Sequence, residues 1–145
     1  LNRPKEGKLI AVGTTSMRTL ESLYYIGVHI IRNGQPGAVE QWEPYDADCD
    51  ISSEEAMRAI YNYLEDRNMD AITARTAIII APSYKFRMVD ILVTNFHQPQ
   101  STLLLLISAF VGDDWREIYR FAMDNGFRFL SYGDSSLLYR RDGVK

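Results

Sequence analysis

The chain has 145 residues, 46% of them hydrophobic and 24% charged, with a formal net charge of −3. That length fits a single domain able to bury about 68–70% of its unfolded surface, and the composition is that of an ordinary globular protein. The negative balance offers no global attraction to nucleic acid, so any RNA contact requires a local basic patch.

Leu9 to Val12 (LIAV) reads as a strand, followed by the polar loop Gly13-Thr14-Thr15-Ser16. A helix from Met17 to about Ile26 follows, with Leu20, Leu23 and Tyr24 at helical spacing and Gly27 as its C-terminal cap. Val28 to Ile31 reads as a strand ending at the Asn33-Gly34 turn, and Gln35 to Asp50 as a loop. Ser52 and Glu55 form a capping box that opens a second helix, with Ala56, Ile60 and Leu64 as its apolar stripe. Thr76 to Ala81 is β-branched and buried in character. Pro82-Ser83 then turns the chain toward a strand at Met88 to Thr94, in a hairpin arrangement.

The loop Asn95-Phe96-His97-Gln98-Pro99-Gln100 leads to Ser101 or Thr102, which caps an apolar helix from Leu103 to Phe110. A third helix follows Asp113 or Asp114, with Trp115, Ile118, Tyr119, Ala122 and Met123 on one face and Gly126 closing it. Phe127 to Tyr139 reads as two short strands around Gly133-Asp134. Strands alternate with helices, so the class is α/β, a mixed sheet flanked by helices, in one domain over 1–145. Cys49 is the single cysteine, which excludes an internal disulfide and suits a reducing cytosol. The apolar run near Leu103 falls well short of the roughly 20 residues a membrane span needs.

Two strand–loop–helix units in one small chain imply a ligand face, because such loops lie at strand carboxyl ends beside helix N-termini that accept anions. Thr14, Thr15 and Arg18 suit a carboxylate, ribose or phosphate; Thr15 or Ser16 as a plain helix cap is the competing reading. Ser101 and Thr102 offer a second such helix start. His97, two residues beyond a strand end and held by the constraint of Pro99 on Gln98, is a candidate acid or base, and Asn95 accompanies it. A structural histidine that satisfies loop groups is the alternative, and His29 is read as structural. Phe86 and Arg87, within Tyr84-Lys85-Phe86-Arg87, suit stacking on a base and pairing with phosphate, though one-sided burial explains the same alternation. Arg128, Arg140, Arg141 and Lys145 either extend a basic edge or are ordinary surface charge. Tyr132 and Asp134 offer a phenol and a carboxylate for ribose hydroxyls, or a stabilised turn. No metal-ligand spacing is present.

Three blocks, AVGTTSMRTLE (Ala11 to Glu21), YKFRMVDILVTNFHQPQSTLLLLISAF (Tyr84 to Phe110) and FRFLSYGDSSLL (Phe127 to Leu138), resemble the S-adenosylmethionine:tRNA ribosyltransferase-isomerase family of queuosine biosynthesis. The resemblance places the chain in the C-terminal part of a larger two-domain enzyme, one expected not to turn over without the remainder. Gln35 to Asp50 matches no block of the family. The activity it implies moves the ribosyl part of S-adenosylmethionine onto 7-aminomethyl-7-deazaguanine at the tRNA wobble position. The ribose is isomerised to give epoxyqueuosine, and adenine and methionine are released. S-adenosylmethionine is then a consumed substrate and no cofactor is needed. The implied partners are that substrate and the tRNA anticodon region, with a cytoplasmic location and no membrane. The resemblance supports the positions, and residue chemistry then gives His97 an acid/base role and has Asn95 and Asp134 orient hydroxyls. Thr14, Thr15 and Arg18 bind methionine, ribose or phosphate, while Phe86 and Arg87 meet the modified base or the tRNA backbone. Two other classes remain open from the residues alone: a nucleotide- or phosphate-binding α/β domain of another enzyme, and a noncatalytic RNA-binding module.

Overall fold

The computed structural model describes residues 6–46, 49–98, 101–130 and 133–141. The chain divides into two compact units, one containing Arg18–Ile79 and the other made of Lys8–Met17 and Ile80–Lys145.

The first unit is helical. Helix α1 spans Thr14–Asn33, its last sixteen residues falling in this unit. It therefore runs straight through Gly27 and through the segment Val28 to Ile31, where the sequence points to a cap and a strand. Two physical reasons account for the difference. Tyr24, Tyr25, Ile26 and Val28 keep a buried helical face across the glycine. Gly27 also sits where a Cβ would lie 2.3 Å from the carbonyl oxygen of Ala56, so its lack of a side chain is needed for close packing and not for chain termination. Ala56 belongs to α3, Ser53–Asp66, which opens with the expected capping box: Ser52 Oγ accepts from the Glu55 N–H, and the Glu55 carboxylate accepts from the Ser52 N–H. The stretch expected to be a loop holds a short helix α2, Glu43–Asp46, and a parallel bridge between Val39 and Thr76. That bridge corrects the reading of Thr76 to Ala81 as one arm of a hairpin. The Ala77 and Ile79 N–H groups donate to Val39 and Gln41 carbonyls, so these residues pair with 39–41 instead of the following strand.

The second unit carries a three-stranded mixed sheet in the order β1-β2-β3, with β1 at Ile10–Val12, β2 at Ile91–Asn95 and β3 at Ser135–Tyr139. β1 runs parallel to β2 and β3 antiparallel to it, with Val12 opposite Val93 and Val93 opposite Leu137. Helix α4, Thr102–Val111, is apolar because its inward residues Leu106, Ile107 and Phe110 are all buried. Gly112 at φ 65° ends it, a short 3₁₀ turn follows, and α5 runs Trp115–Asp124 with Tyr119 and Ala122 buried. Among the described residues of Phe127 to Tyr139 there is one strand, β3, where the sequence points to two. The Arg128 and Leu130 N–H groups bond to the Asp134 carboxylate and the Phe96 carbonyl, so 127–130 forms a clamp in place of a ladder. Among the described residues no helix is long and apolar enough to cross a membrane, and no group of three metal-ligating side chains gathers.

Candidate functional site

Because β1 and β2 are parallel and in register, their carboxyl ends lie at one end of the sheet. The Gly13 N–H donates to the Val93 carbonyl at 2.8 Å, which brings the start of α1 beside β2 just before the His97 loop. Gly13 adopts φ +88°, a left-handed turn that glycine makes without Cβ strain, and its carbonyl accepts the Met17 N–H as the helix begins. Thr14 and Thr15 occupy the first turn of α1, half-buried and exposed respectively. Arg18 lies further along the same helix, half-buried, with an Nε that has no hydrogen-bond partner among the described residues.

His97 is held from two sides. Its Nε2 lies 3.0 Å from the hydroxyl of Thr94, a buried residue of β2. Its backbone N–H donates to the phenolic oxygen of Tyr119 at 3.2 Å. Burial lowers the His97 pKa below its ordinary value of 6.5, because a partly desolvated imidazolium is disfavoured. The imidazole is therefore neutral at physiological pH. Among the described residues its Nδ1 has no partner, which leaves that nitrogen for an incoming group. Burial raises the Tyr119 pKa, opposed by the N–H of His97, so the phenol stays protonated and serves as a neutral anchor. Tyr119 in turn packs edge-on against Phe96 and Trp115, with ring centroids at 5.4 and 6.1 Å.

The loop between α5 and β3 closes over the end of β2. Asn95 Nδ2 donates to the Leu130 carbonyl at 2.9 Å, the Leu130 N–H to the Phe96 carbonyl at 2.8 Å, and the Arg128 N–H to Asp134 Oδ2 at 2.8 Å. That last bond, with the Arg128 guanidinium beside it, holds the Asp134 carboxyl below the usual carboxylate range. Leu130 sits at φ 68°, a conformation unusual for a side chain with a Cβ and imposed by these bonds. Asn95 and Asp134 are thus brought to the His97 loop, but with side chains already engaged in holding the clamp.

Other candidates are placed differently. Ser101 occupies the N-cap position of α4 without a side-chain cap bond, its hydroxyl donating instead to the Gln98 carbonyl at 3.1 Å; Thr102 is exposed in the first turn. The Phe86 ring packs edge-on against Tyr84 and Phe110, both at 4.9 Å, and Arg87 Nε is buried, so the Tyr84 to Arg87 alternation is that of a segment with one side in the core. Each of Arg128, Arg140 and Arg141 faces a carboxylate, of Asp134, Asp90 and Asp114 respectively, which removes the free basic edge. Tyr132, Pro99 and Lys145 lie outside the described residues.

Two structural features are absent from the sequence reading. Thr94 and Tyr119 fix His97, and an open cleft of about 620 Å³ lies beside Phe96, lined by Ile118, Phe121 and Phe127 with Glu117, Ser135 and Ser136. A buried phenol on the inner face of α5 is the one signal that anticipates such an anchor, since a buried tyrosine hydroxyl seeks a polar partner.

Residues 1–138 match the family model described as queuosine biosynthesis protein. The chain belongs to that family. It is 43% identical over 141 residues to the S-adenosylmethionine:tRNA ribosyltransferase-isomerase of Burkholderia ambifaria, a match that covers 97% of this chain and 30% of the relative. The protein of the same name from Burkholderia mallei is 42% identical over the same share of this chain. The crystal structure of S-adenosylmethionine tRNA ribosyltransferase from Thermotoga maritima is similar with a TM-score of 0.51 and 34% identity, covering 90% of this chain and 32% of that one. The chain therefore spans about 30% of the length of the relatives it matches, as expected for part of a larger family enzyme. The site residues named above fall within the matched span, except Arg140, Arg141 and Lys145.

Proposed function

We propose that this chain supplies one wall of the active site of an S-adenosylmethionine:tRNA ribosyltransferase-isomerase. The full protein would transfer and isomerise the ribosyl group of S-adenosylmethionine onto 7-aminomethyl-7-deazaguanine in the anticodon region of tRNA. Adenine and methionine leave and epoxyqueuosine is formed; S-adenosylmethionine is consumed, and the reaction belongs in the cytoplasm with its tRNA. The observation that carries this reading is the family match over 1–138, which spans the doubly anchored His97.

The reaction needs a base to take a proton from the carbon beside the sulfonium, a group to assist the departure of adenine, and shelter from water. A neutral imidazole with one nitrogen held by Thr94 and the other unengaged suits the base. The cleft beside Phe96 pairs aromatic surface with the Glu117 carboxylate, which suits a flat base carrying a cationic aminomethyl group. Thr14 and Thr15, at the start of α1 and the same end of the sheet, suit the methionine carboxylate or ribose. In this reading Asn95 and Asp134 act by holding the loop, while the hydroxyls of Ser101 and Thr102 and the charges of Arg18 and Arg87 suit substrate binding by their chemistry.

The test is product analysis with the full-length protein, S-adenosylmethionine and precursor tRNA. Adenine, methionine and epoxyqueuosine-containing tRNA are the expected products. Formation of S-adenosylhomocysteine and a methylated base, or no consumption of S-adenosylmethionine, would overturn the proposal.

A further inference from the structure

Leu130 holds a backbone conformation that its own side chain opposes. Among the described residues, positive φ is taken by Gly13, Gly34, Gly112 and Gly126 and by the short polar residues Asn68 and Ser83. Leu130, at φ 68°, is the one large apolar residue in that set, and a Cβ there carries strain that glycine escapes. None of the bonds that fix the position uses the side chain. The Leu130 N–H donates to the Phe96 carbonyl at 2.8 Å, and the Leu130 carbonyl accepts from Asn95 Nδ2 and from the Gly133 N–H, each at 2.9 Å. The neighbour that joins the aromatic cluster is Phe129, its ring 5.5 Å from Phe96 and 6.1 Å from Tyr119, whereas Leu130 is left 48% exposed. Nor does this loop avoid glycine: Gly133 stands where a Cβ would lie 2.3 Å from the Arg128 carbonyl oxygen. A lone exposed leucine is ordinary, but one kept open at a strained position marks a side chain with something to bind.

The place of Leu130 says what it meets. The peptide between Phe96 and His97 is held at its carbonyl by the Leu130 N–H and at its N–H by the Tyr119 phenol, so Leu130 flanks the peptide that carries the imidazole. We infer that the Leu130 side chain is a binding contact for the flat face of a purine-like base. The inference rests on the function proposed above: the ribosyl group served by His97 carries adenine before transfer and the deazaguanine after it, so one of these rings lies beside the loop. A branched alkyl group offers dispersion and excludes water but has no donor or acceptor. That suits a ring face and not a carboxylate or a phosphate.

The test uses the full-length protein carrying Leu130→Gly, Leu130→Ala or Leu130→Met. Leu130→Gly removes the strain and the contact together. It is expected to denature at the wild-type urea midpoint or above it, while kcat/KM for one substrate, with the other saturating, falls about five- to tenfold. Leu130→Ala keeps the strain and should show the same kinetic loss. Leu130→Met, of similar volume, should stay within about twofold of wild type. A loss confined to S-adenosylmethionine assigns the adenine, and one confined to precursor tRNA assigns the deazaguanine. Wild-type kcat/KM for both substrates in the Gly and Ala variants overturns the inference. A lower midpoint for Leu130→Gly would make Leu130 a packing residue, and an equal loss for both substrates would mark a displaced loop; either also overturns it. A wild-type protein that yields no epoxyqueuosine is a separate result, which sinks the proposed function and this inference with it.

Discussion

The hydroxyl of Thr94 lies 3.0 Å from Nε2 of His97, so the last turn of a buried strand fixes which face of the imidazole meets the outside. Thr94 is itself buried and its carbonyl accepts from the Ser136 hydroxyl at 3.0 Å, which ties the hydroxyl's position to the sheet. Replacing Thr94 by Val keeps the shape and removes the partner. A hydrogen bond of this kind contributes about 1 kcal/mol, so Thr94→Val in the full-length enzyme is expected to slow turnover about fivefold. Thr94→Ser should recover most of the loss, and steady-state kinetics of the pair checks both.

Burial lowers the pKa of His97, and this has two consequences for pH. The acid limb of kcat/KM for the full-length enzyme should fall below the ordinary histidine value of 6.5, since the free enzyme keeps its base neutral to lower pH. For stability, the unfolded chain binds a proton at His97 more readily than the folded one. Stability is thus fully present above the unfolded value and declines as pH falls from there toward the folded value. Urea titrations of wild type and His97→Gln should diverge in slope across that interval. A wild-type acid limb at or above 6.5 would contradict the assignment.

Gly27 and Ala56 approach so closely that a Cβ on Gly27 would stand 2.3 Å from the Ala56 carbonyl oxygen. Gly→Ala inside a helix ordinarily gains up to about 1 kcal/mol. Here the backbone clash dominates, and Gly27→Ala is expected to lose about 1–3 kcal/mol, the usual penalty of overpacking. A shift of the chemical denaturation midpoint to lower denaturant checks this, and a shift to higher denaturant would show that the helices separate at no cost.

The sequence made the sheet strands, the capping box at Ser52 and the apolar helix after Ser101 legible because each depends on local periodicity or local capping chemistry. Gly27 was misleading for a physical reason: glycine ends helices by adopting positive φ and also permits close packing, and only the neighbour tells which applies. Thr76 to Ala81 shows the same limit, since β-branched residues predict an extended backbone but not the partner, which is Val39. His97 stood out by its position after a strand. Its anchor Tyr119 did not, because it lies 22 residues away, and the bond from Asn95 to Leu130 that closes the clamp spans 35 residues. Glu21, fully buried within α1, likewise gives no local sign of burial among the polar residues around it.

The central claim is that His97 moves a proton during chemistry. It is tested most directly by the single-turnover rate of His97→Gln in the full-length enzyme, with saturating S-adenosylmethionine and precursor tRNA. Gln keeps a hydrogen-bonding group for Thr94 but has no proton to exchange near neutral pH. The expected result is a rate lower by about 10²–10⁴-fold, with S-adenosylmethionine affinity nearly unchanged. A His97→Gln rate close to wild type would contradict the claim and leave His97 as a residue that only positions its loop.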